Sequence, residues 1–164
     1  MAVIALVSAK SSAVTTSALA LTLAGPRRTL LAECDPQGGT LRAGFLQGHL
    51  SAAVGLHQLA AASRAGTLGE SFEQHLVPLD PPAGQRLLLP GLTDPSQATA
   101  MAGTWEQLNR IWPVLEAERQ MDVVIDAGRI VVDAGEVSAL RSPAALLRRA
   151  DVVGVLGEVL RCVR

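Results

Sequence analysis

The stretch AVIALVSAKSSAVTTSALALTLA, residues 2–24, decides the fold class. It opens with a short continuous apolar run, Ala2–Val7, which is typical of a strand buried on both faces. A loop of small polar residues, Ser8–Thr16, follows. The next segment is rich in Ala and Leu and ends at Gly25-Pro26. The alternation in ALALTLA would suit a strand, but the length and the Ala content favour a helix. The order is therefore strand, loop, helix.

The rest of the chain alternates in the same way. Apolar runs predict four more strands, at Thr29–Glu33, Arg86–Leu89, Val123–Ile125 and Asp151–Leu156. Helices are predicted at Ala52–Ala62, at Thr104–Gln120 with a bend at Pro113, and at Pro143–Arg149. This pattern predicts the α/β class, with a parallel sheet between two layers of helices. Because ligands bind beyond the carboxyl ends of such strands, the loops of interest are Ser8–Thr16, Cys34–Thr40, Pro90–Asp94 and Asp126–Ile130.

Composition narrows the class of protein. A chain of 164 residues suits one domain, predicted to span residues 1–164. The net charge of −1 predicts no general attraction to nucleic acid or anionic membrane, and two Trp, two Phe and no Tyr argue against a base-stacking module. The distant Cys34 and Cys162 argue against a disulfide framework or a zinc site. The chain has no apolar run of about 18 residues and no basic signal-peptide start, which predicts a cytoplasmic protein.

The loop Ser8–Thr16 has part of what a phosphate-binding loop needs. In such a loop the backbone N–H groups and a helix N-terminus converge on the anion, and glycines allow its close approach. A lysine neutralises phosphate charge, and a Ser or Thr hydroxyl binds Mg²⁺. Here Thr15 and Thr16 offer hydroxyls and Lys10 offers a charge. The glycines are absent and no lysine directly precedes Thr15, so a plain strand-to-helix turn is the alternative.

Carboxylates follow two other predicted strands. Glu33 and Asp35 are two residues apart at a strand end, from which both can face one cleft. An acidic side chain there can accept a proton from an attacking water or orient it. Asp126 ends the strand that Val123 opens, where a carboxylate can support Mg²⁺ and its bound water. A surface turn with a capping Asp is the alternative at either place.

Together these segments resemble the ParA/MinD family of deviant P-loop ATPases. That family shows strand–KGGxGKTT–helix, then a D-x-D-P-Q-G strand end, and later an apolar strand that ends in Asp. The closest match is LLAECDPQG, Leu30–Gly38, in which Glu33 replaces the first Asp of the family's motif. RLLLPG, residues 86–91, resembles the family's middle strand, and Asp122–Asp126 resembles its Walker B strand. Ala127-Gly128-Arg129 stands where the family usually has a Pro. Residues 144–156 resemble the helix and strand that follow.

The resemblance implies roles for individual residues. Lys10 matches the signature lysine, which in the family reaches the partner's nucleotide across a dimer. With one residue fewer in this loop, Ser11 and Ser12 replace two glycines, Ala13 takes the next glycine, Val14 the phosphate-binding lysine, Thr15 the Mg²⁺ ligand and Thr16 its neighbour. An ungapped register puts Thr15 at the lysine position instead, so the lysine is missing either way. The implied nucleotide-binding set is Lys10, Ser11, Ser12, Ala13, Val14, Thr15 and Thr16. The catalytic set is Asp35, which positions water, with Lys10, and the metal set is Thr15, Asp126 and Asp35.

The resemblance also implies a function. It is that of a bacterial cytoplasmic ATP-binding protein, a Mg²⁺-dependent switch that positions chromosomes, division sites or secretion and flagellar machinery, with weak or lost ATPase activity. The implied cofactors are ATP and Mg²⁺, and the implied partners are a second copy across the nucleotide and a further, unidentified protein. The family's last strands, which hold adenine and make membrane or DNA contacts, have no counterpart in the chain. The alternatives are a pseudo-ATPase that serves as a binding scaffold, and a truncated fragment without independent function.

Overall fold

The computed structural model describes residues 2–10, 13–138 and 141–157. In these ranges the strands are β1 (Val3–Ser8), β2 (Thr29–Glu33), β3 (Val77–Pro78), β4 (Arg86–Leu89), β5 (Asp122–Arg129), β6 (Val132–Asp133), β7 (Glu136–Val137) and β8 (Val152–Leu156). The α-helices are α1 (Val14–Ala24), α2 (Leu56–Ala65), α3 (Leu68–Ser71), α4 (Ala102–Arg119) and α5 (Ala144–Arg149). Two 3₁₀ helices span Phe72–His75 and Pro95–Met101.

Six of the strands form one sheet in the order β3-β4-β2-β5-β1-β8. All neighbours in it are parallel except β3, which pairs antiparallel with β4. β6 and β7 form a separate hairpin. The central strands β1, β2 and β5 are almost wholly buried, as their continuous apolar runs predict. The α/β class with a mostly parallel sheet is therefore confirmed.

Each face of the sheet packs against its own core. On β2, Leu30 belongs to the core under α2, α4 and α5, and the next residue, Leu31, belongs to the core under α1. The reason is that successive side chains of a strand point to opposite faces. Val14 and Ala18 of α1 fill the second core. Helices thus cover both faces, which gives the three layers expected from the sequence.

Several boundaries differ from those that the sequence predicts. α2 begins at Leu56 rather than Ala52. β5 does not end at Asp126, as the sequence predicts, but continues to Arg129, because its backbone still pairs with β1, where Arg129 aligns with Ser8 across an irregularity in the ladder. The two-residue strands β3, β6 and β7 and the one-turn helix α3 were not predicted, since such short elements have no periodicity to detect. α4 runs through Pro113 without ending.

Two further expectations concern the chain as a whole. In the ranges that the structure describes, no helix is both long and apolar enough to cross a bilayer. Cys34 is a buried free thiol, and burial beside three carboxylates raises its pKa well above the ordinary value. Cys162 lies outside the described residues.

Candidate functional site

Three of the loops singled out in the sequence meet at one end of the sheet. β2, β5 and β1 are neighbours, so their carboxyl ends lie side by side. A cavity of about 200 Å³ opens there, lined by Ala13, Val14, Thr15, Thr16, Asp35, Gly128 and Arg129. The structure thus brings Asp35 to the start of α1 and to the residues that follow Asp126. The remaining loop, Pro90–Asp94, contributes no lining residue.

The start of α1 presents backbone donors to this cavity. The Ser17 N–H donates to the Ala13 carbonyl at 2.9 Å, so the N–H groups of Val14, Thr15 and Thr16 precede this first intrahelical bond. Ala13 itself has φ +53°, the left-handed conformation in which glycine is favoured. Among the residues that the structure describes, no side chain caps the helix, and its first turn has no acidic residue. The positive end of the helix dipole therefore faces the cavity without a carboxylate of its own segment.

Thr15 and Asp126 form the oxygen pair of the site. Asp126, on β5, is 1% exposed and accepts hydrogen bonds from the Thr15 side chain and from the Gly128 N–H at 3.0 Å. Burial raises the pKa of the Asp126 carboxyl, and these two hydrogen bonds oppose the rise. A hydroxyl and a carboxylate side by side are hard oxygen ligands of the kind that Mg²⁺ selects.

Asp35 lies directly against the backbone of Gly128. Its Oδ1 accepts the Gln37 N–H at 2.8 Å, which holds the carboxylate over the turn after β2. A Cβ placed on Gly128 would lie 2.1 Å from the Asp35 Cγ, and Gly128 has φ +61°. Any side chain at position 128 would therefore displace Asp35, so this glycine is a condition for the carboxylate's position.

The Asp35 carboxyl should make stability depend on pH. Burial first, and then the charge of Asp126, raise its pKa from 3.8 to about 6. The native state therefore binds a proton more tightly than the unfolded chain, and this stabilisation is lost as the pH rises through about 6. We expect the free energy of unfolding to fall by on the order of 1 kcal/mol between about pH 4 and 6.5, discounted because the group is partly exposed. Urea unfolding measured at several pH values in this range should show that the free energy of unfolding falls less steeply with pH in Asp35→Asn than in the wild type. An equal pH dependence in the two proteins would contradict the assignment.

Neither of the two lysine positions that the resemblance assigns places a lysine at the cavity. Val14 is 4% exposed and packs in the core with Leu6 and Leu31 while its outer part lines the cavity. Lys10 is exposed, its backbone N–H donates to the Ser8 Oγ at 3.0 Å, and it does not line the cavity. Ser11 and Ser12 lie outside the described residues. Among the described residues that line the cavity, Arg129 is the one with a cationic side chain.

Glu33 does not face the cavity, contrary to the expectation that it and Asp35 share one cleft. Its Oε1 accepts the N–H groups of Thr40 and Leu41, each at 2.9 Å, and its Oε2 accepts the Gly91 N–H at 3.0 Å. Burial raises the pKa of this carboxyl, and these bonds oppose the rise. Glu33 therefore links two loops through their backbone N–H groups, and Asp35 is the acid of this pair that lies at the cavity.

Two residues of the site were not singled out from the sequence. Gly128 positions Asp35, and Arg129 brings positive charge to the cavity. The available signal was the departure from the family's pattern after Asp126, where a glycine and an arginine replace the usual Pro. A glycine inside a strand often marks a close backbone approach.

The ligand capacity of the site is limited. Among the residues that the structure describes, no group of three or more His, Cys, Asp or Glu side chains could hold a metal ion. Mg²⁺, however, commonly uses one or two carboxylates together with phosphate and water oxygens. Comparison of the chain with protein-family models, with curated proteins and with solved structures found no match.

Proposed function

We propose that the cavity binds the phosphates of ATP together with Mg²⁺, as in a ParA/MinD-like nucleotide switch with weak or lost hydrolysis. The observation that carries the proposal is the hydrogen bond between Thr15, at the start of α1, and Asp126, in the second half of β5, the strand beside β1. It joins the hydroxyl and the carboxylate that the gapped register assigns to Mg²⁺. In the ungapped register, Thr15 would stand at the position of the phosphate-binding lysine, and that role does not account for a hydrogen bond between Thr15 and Asp126.

The chemistry of the remaining groups supports a phosphate ligand. The first N–H groups of α1 and its dipole favour an anion, and Arg129 adds a full positive charge. The cavity, at about 200 Å³, is smaller than the roughly 300–1,000 Å³ of a typical small-molecule pocket. It therefore suits the phosphates alone, and the base and ribose of a nucleotide would lie outside it.

Each residue of the site would have one task. The α1 N–H groups and Arg129 would hold phosphate oxygens, and Thr15 with Asp126 would hold Mg²⁺, which supplies charge neutralisation. Asp35 stands across the same cavity with a pKa of about 6, so at neutral pH it can accept a hydrogen bond from a water and orient it. Positioning of chromosomes, division sites or secretion and flagellar machinery remains part of the proposal through the family resemblance.

The second candidate function is a pseudo-ATPase that acts as a binding scaffold. The observation that favours it is Val14, whose side chain is buried in the core at the position of the phosphate-binding lysine. Losing one charge-assisted phosphate contact costs about 1.5–3 kcal/mol, roughly ten- to more than a hundredfold in affinity. If that loss leaves no measurable affinity, the protein cannot act as a nucleotide switch.

Calorimetry of ATP binding, with Mg²⁺ and with a chelator, separates the two functions. The switch predicts binding that is at least about tenfold tighter with Mg²⁺ in the wild type, because the cation neutralises phosphate charge beside Asp126. Asp126→Ala should remove this Mg²⁺ dependence. Asp35→Ala should leave binding nearly intact, since a group that orients water does not hold the ground state.

Phosphate release completes the test. Any steady-state rate above the buffer baseline should disappear in Asp35→Ala, and a rate that persists there would belong to another site or to a contaminant. Absence of ATP binding under both conditions would overturn the nucleotide switch and leave the scaffold. Asp133→Ala, in the exposed hairpin, is the matched control and should change neither binding nor turnover.

A further inference from the structure

Two adjoining cavities lie at the opposite end of the sheet, where β2, β4 and β5 begin. The first, of about 190 Å³, is lined by Arg28, Glu73, Leu76, Leu87, Leu115, Arg119 and Met121. The second, of about 540 Å³, is lined by Arg27, Arg28, Ala117, Glu118, Arg119 and Gln120. Arg28 and Arg119 line both. An apolar chamber thus meets a polar one at a pair of guanidinium groups.

The arginines here differ in how their charge is compensated. Arg119 pairs with Glu73, and the Arg27 Nε lies 3.6 Å from an Asp122 carboxylate oxygen. Arg28, in contrast, has no acceptor for its side chain among the residues that the structure describes, and its Nε is buried without a hydrogen bond. Glu118 lines the larger cavity but forms no ion pair with Arg28 within the same ranges. Of the described residues at this junction, Arg28 is therefore left without a compensating carboxylate.

A buried donor without an acceptor is costly, so an uncompensated guanidinium at a cavity favours an incoming anion. Its planar fork matches a carboxylate, which can accept two parallel hydrogen bonds. The neighbouring chamber decides what the anion carries. Its apolar lining, with Leu76, Leu87, Leu115 and Met121, would gain from an apolar group, and its volume equals that of roughly six waters.

We propose that these cavities form a binding site for an apolar carboxylate. The carboxylate lies at Arg28 and a short apolar chain enters the leucine-lined chamber. One uncompensated charge matches one carboxylate, and the chamber is too small for a long chain. The site is distinct from the proposed ATP site, because the two lie at opposite ends of the strands. Such a carboxylate can come from a free short-chain acid or from the C-terminal apolar residue of a peptide.

Titration of the purified full chain, followed by backbone amide NMR, tests the proposal with hexanoate. Hexanamide is the uncharged control, and N-acetyl-leucine represents a peptide C-terminus. Hexanoate or N-acetyl-leucine should shift the amides of residues 28, 87 and 115–121 with an affinity at least about tenfold above that of hexanamide. The tighter of the two acids identifies the source of the carboxylate.

Variants assign the binding to one side chain. Arg28→Gln should weaken the binding of the acid at least about tenfold, and Arg28→Lys, which keeps the charge but not the fork, should weaken it less. Arg64→Gln, which removes an arginine that lines neither cavity, should leave the affinity unchanged. Equal binding of hexanamide and hexanoate to the wild type would overturn the proposal, and so would equal binding of hexanoate to the wild type and Arg28→Gln. The comparison on the wild type stands even if a variant fails to fold.

Discussion

Replacing Val14 by Lys together with Ala13 by Gly is expected to tighten Mg·ATP binding by roughly ten- to a hundredfold. The lysine restores a charge-assisted contact to phosphate worth about 1.5–3 kcal/mol. Val14 is one of the residues that line the cavity, so a lysine at this position would begin beside the proposed phosphate site. Glycine at position 13 accepts the left-handed backbone that Ala13 adopts at φ +53°, which for other residues costs roughly 1–2 kcal/mol. Calorimetry against the wild type measures the gain.

A length-matched variant isolates the effect of charge. Ala13→Gly with Val14→Met has a side chain of similar reach without the ammonium, and it should bind Mg·ATP no more tightly than the wild type. The lysine variant should also lose some stability, because part of its side chain replaces a buried valine. No gain in affinity in a folded lysine variant would show that the gapped register, or the nucleotide site itself, is wrong.

Glu33→Ala is expected to destabilise the protein by about 3–5 kcal/mol and to lower its Tm by roughly 10–15 °C. The carboxylate is 1% exposed and accepts the N–H groups of Thr40, Leu41 and Gly91. Its removal leaves these donors without their acceptor and opens a cavity beside β2. Urea unfolding and thermal denaturation measure the loss.

Intermediate and control variants separate the causes of this loss. Glu33→Gln keeps the shape and one acceptor oxygen, so we expect it to cost less than Glu33→Ala. Glu70→Ala, on the exposed surface of α3, should change stability by less than about 0.5 kcal/mol. A Glu33→Ala protein as stable as the wild type would show that the two loops hold their positions without the carboxylate.

The sequence did not show which of the two acids at the end of β2, Glu33 or Asp35, faces the cavity. Both Glu33 and Asp35 are acidic, and their spacing alone allows both to face one cleft. The structure separates them. The loop after β2 brings the Thr40 N–H to Glu33 and the segment after β4 brings the Gly91 N–H to it, while Gly128, which has no side chain, leaves room for the Asp35 carboxylate. These neighbours come from distant parts of the chain, so no local pattern distinguishes the anchor from the cavity-facing acid.

The Arg28 site was likewise invisible in the sequence. Arg27-Arg28 reads as an ordinary basic pair before a strand, and Arg119 as a charge at a helix end. Only the packing of α4 beside the starts of β2 and β5 places them around shared cavities. Compensation of two of the three charges by Glu73 and Asp122 also depends on contacts across the fold.

The sequence by itself determined the strands β1, β2, β4, β5 and β8 and the alternation that makes the sheet parallel, since continuous apolar runs and helical periodicity are local properties. It also predicted that Thr15 and Asp35, in loops, and Asp126, at the end of its strand, lie at one edge of the sheet. The three do lie near the same edge, but β5 continues past Asp126 to Arg129. Tertiary structure alone decided that Glu33 is an anchor, that Gly128 and Arg129 lie at the cavity, and that Arg28 has no partner among the residues that the structure describes. The physical reason is that hydrogen-bond satisfaction and charge compensation depend on which distant groups fold together, and spacing along the chain does not encode that.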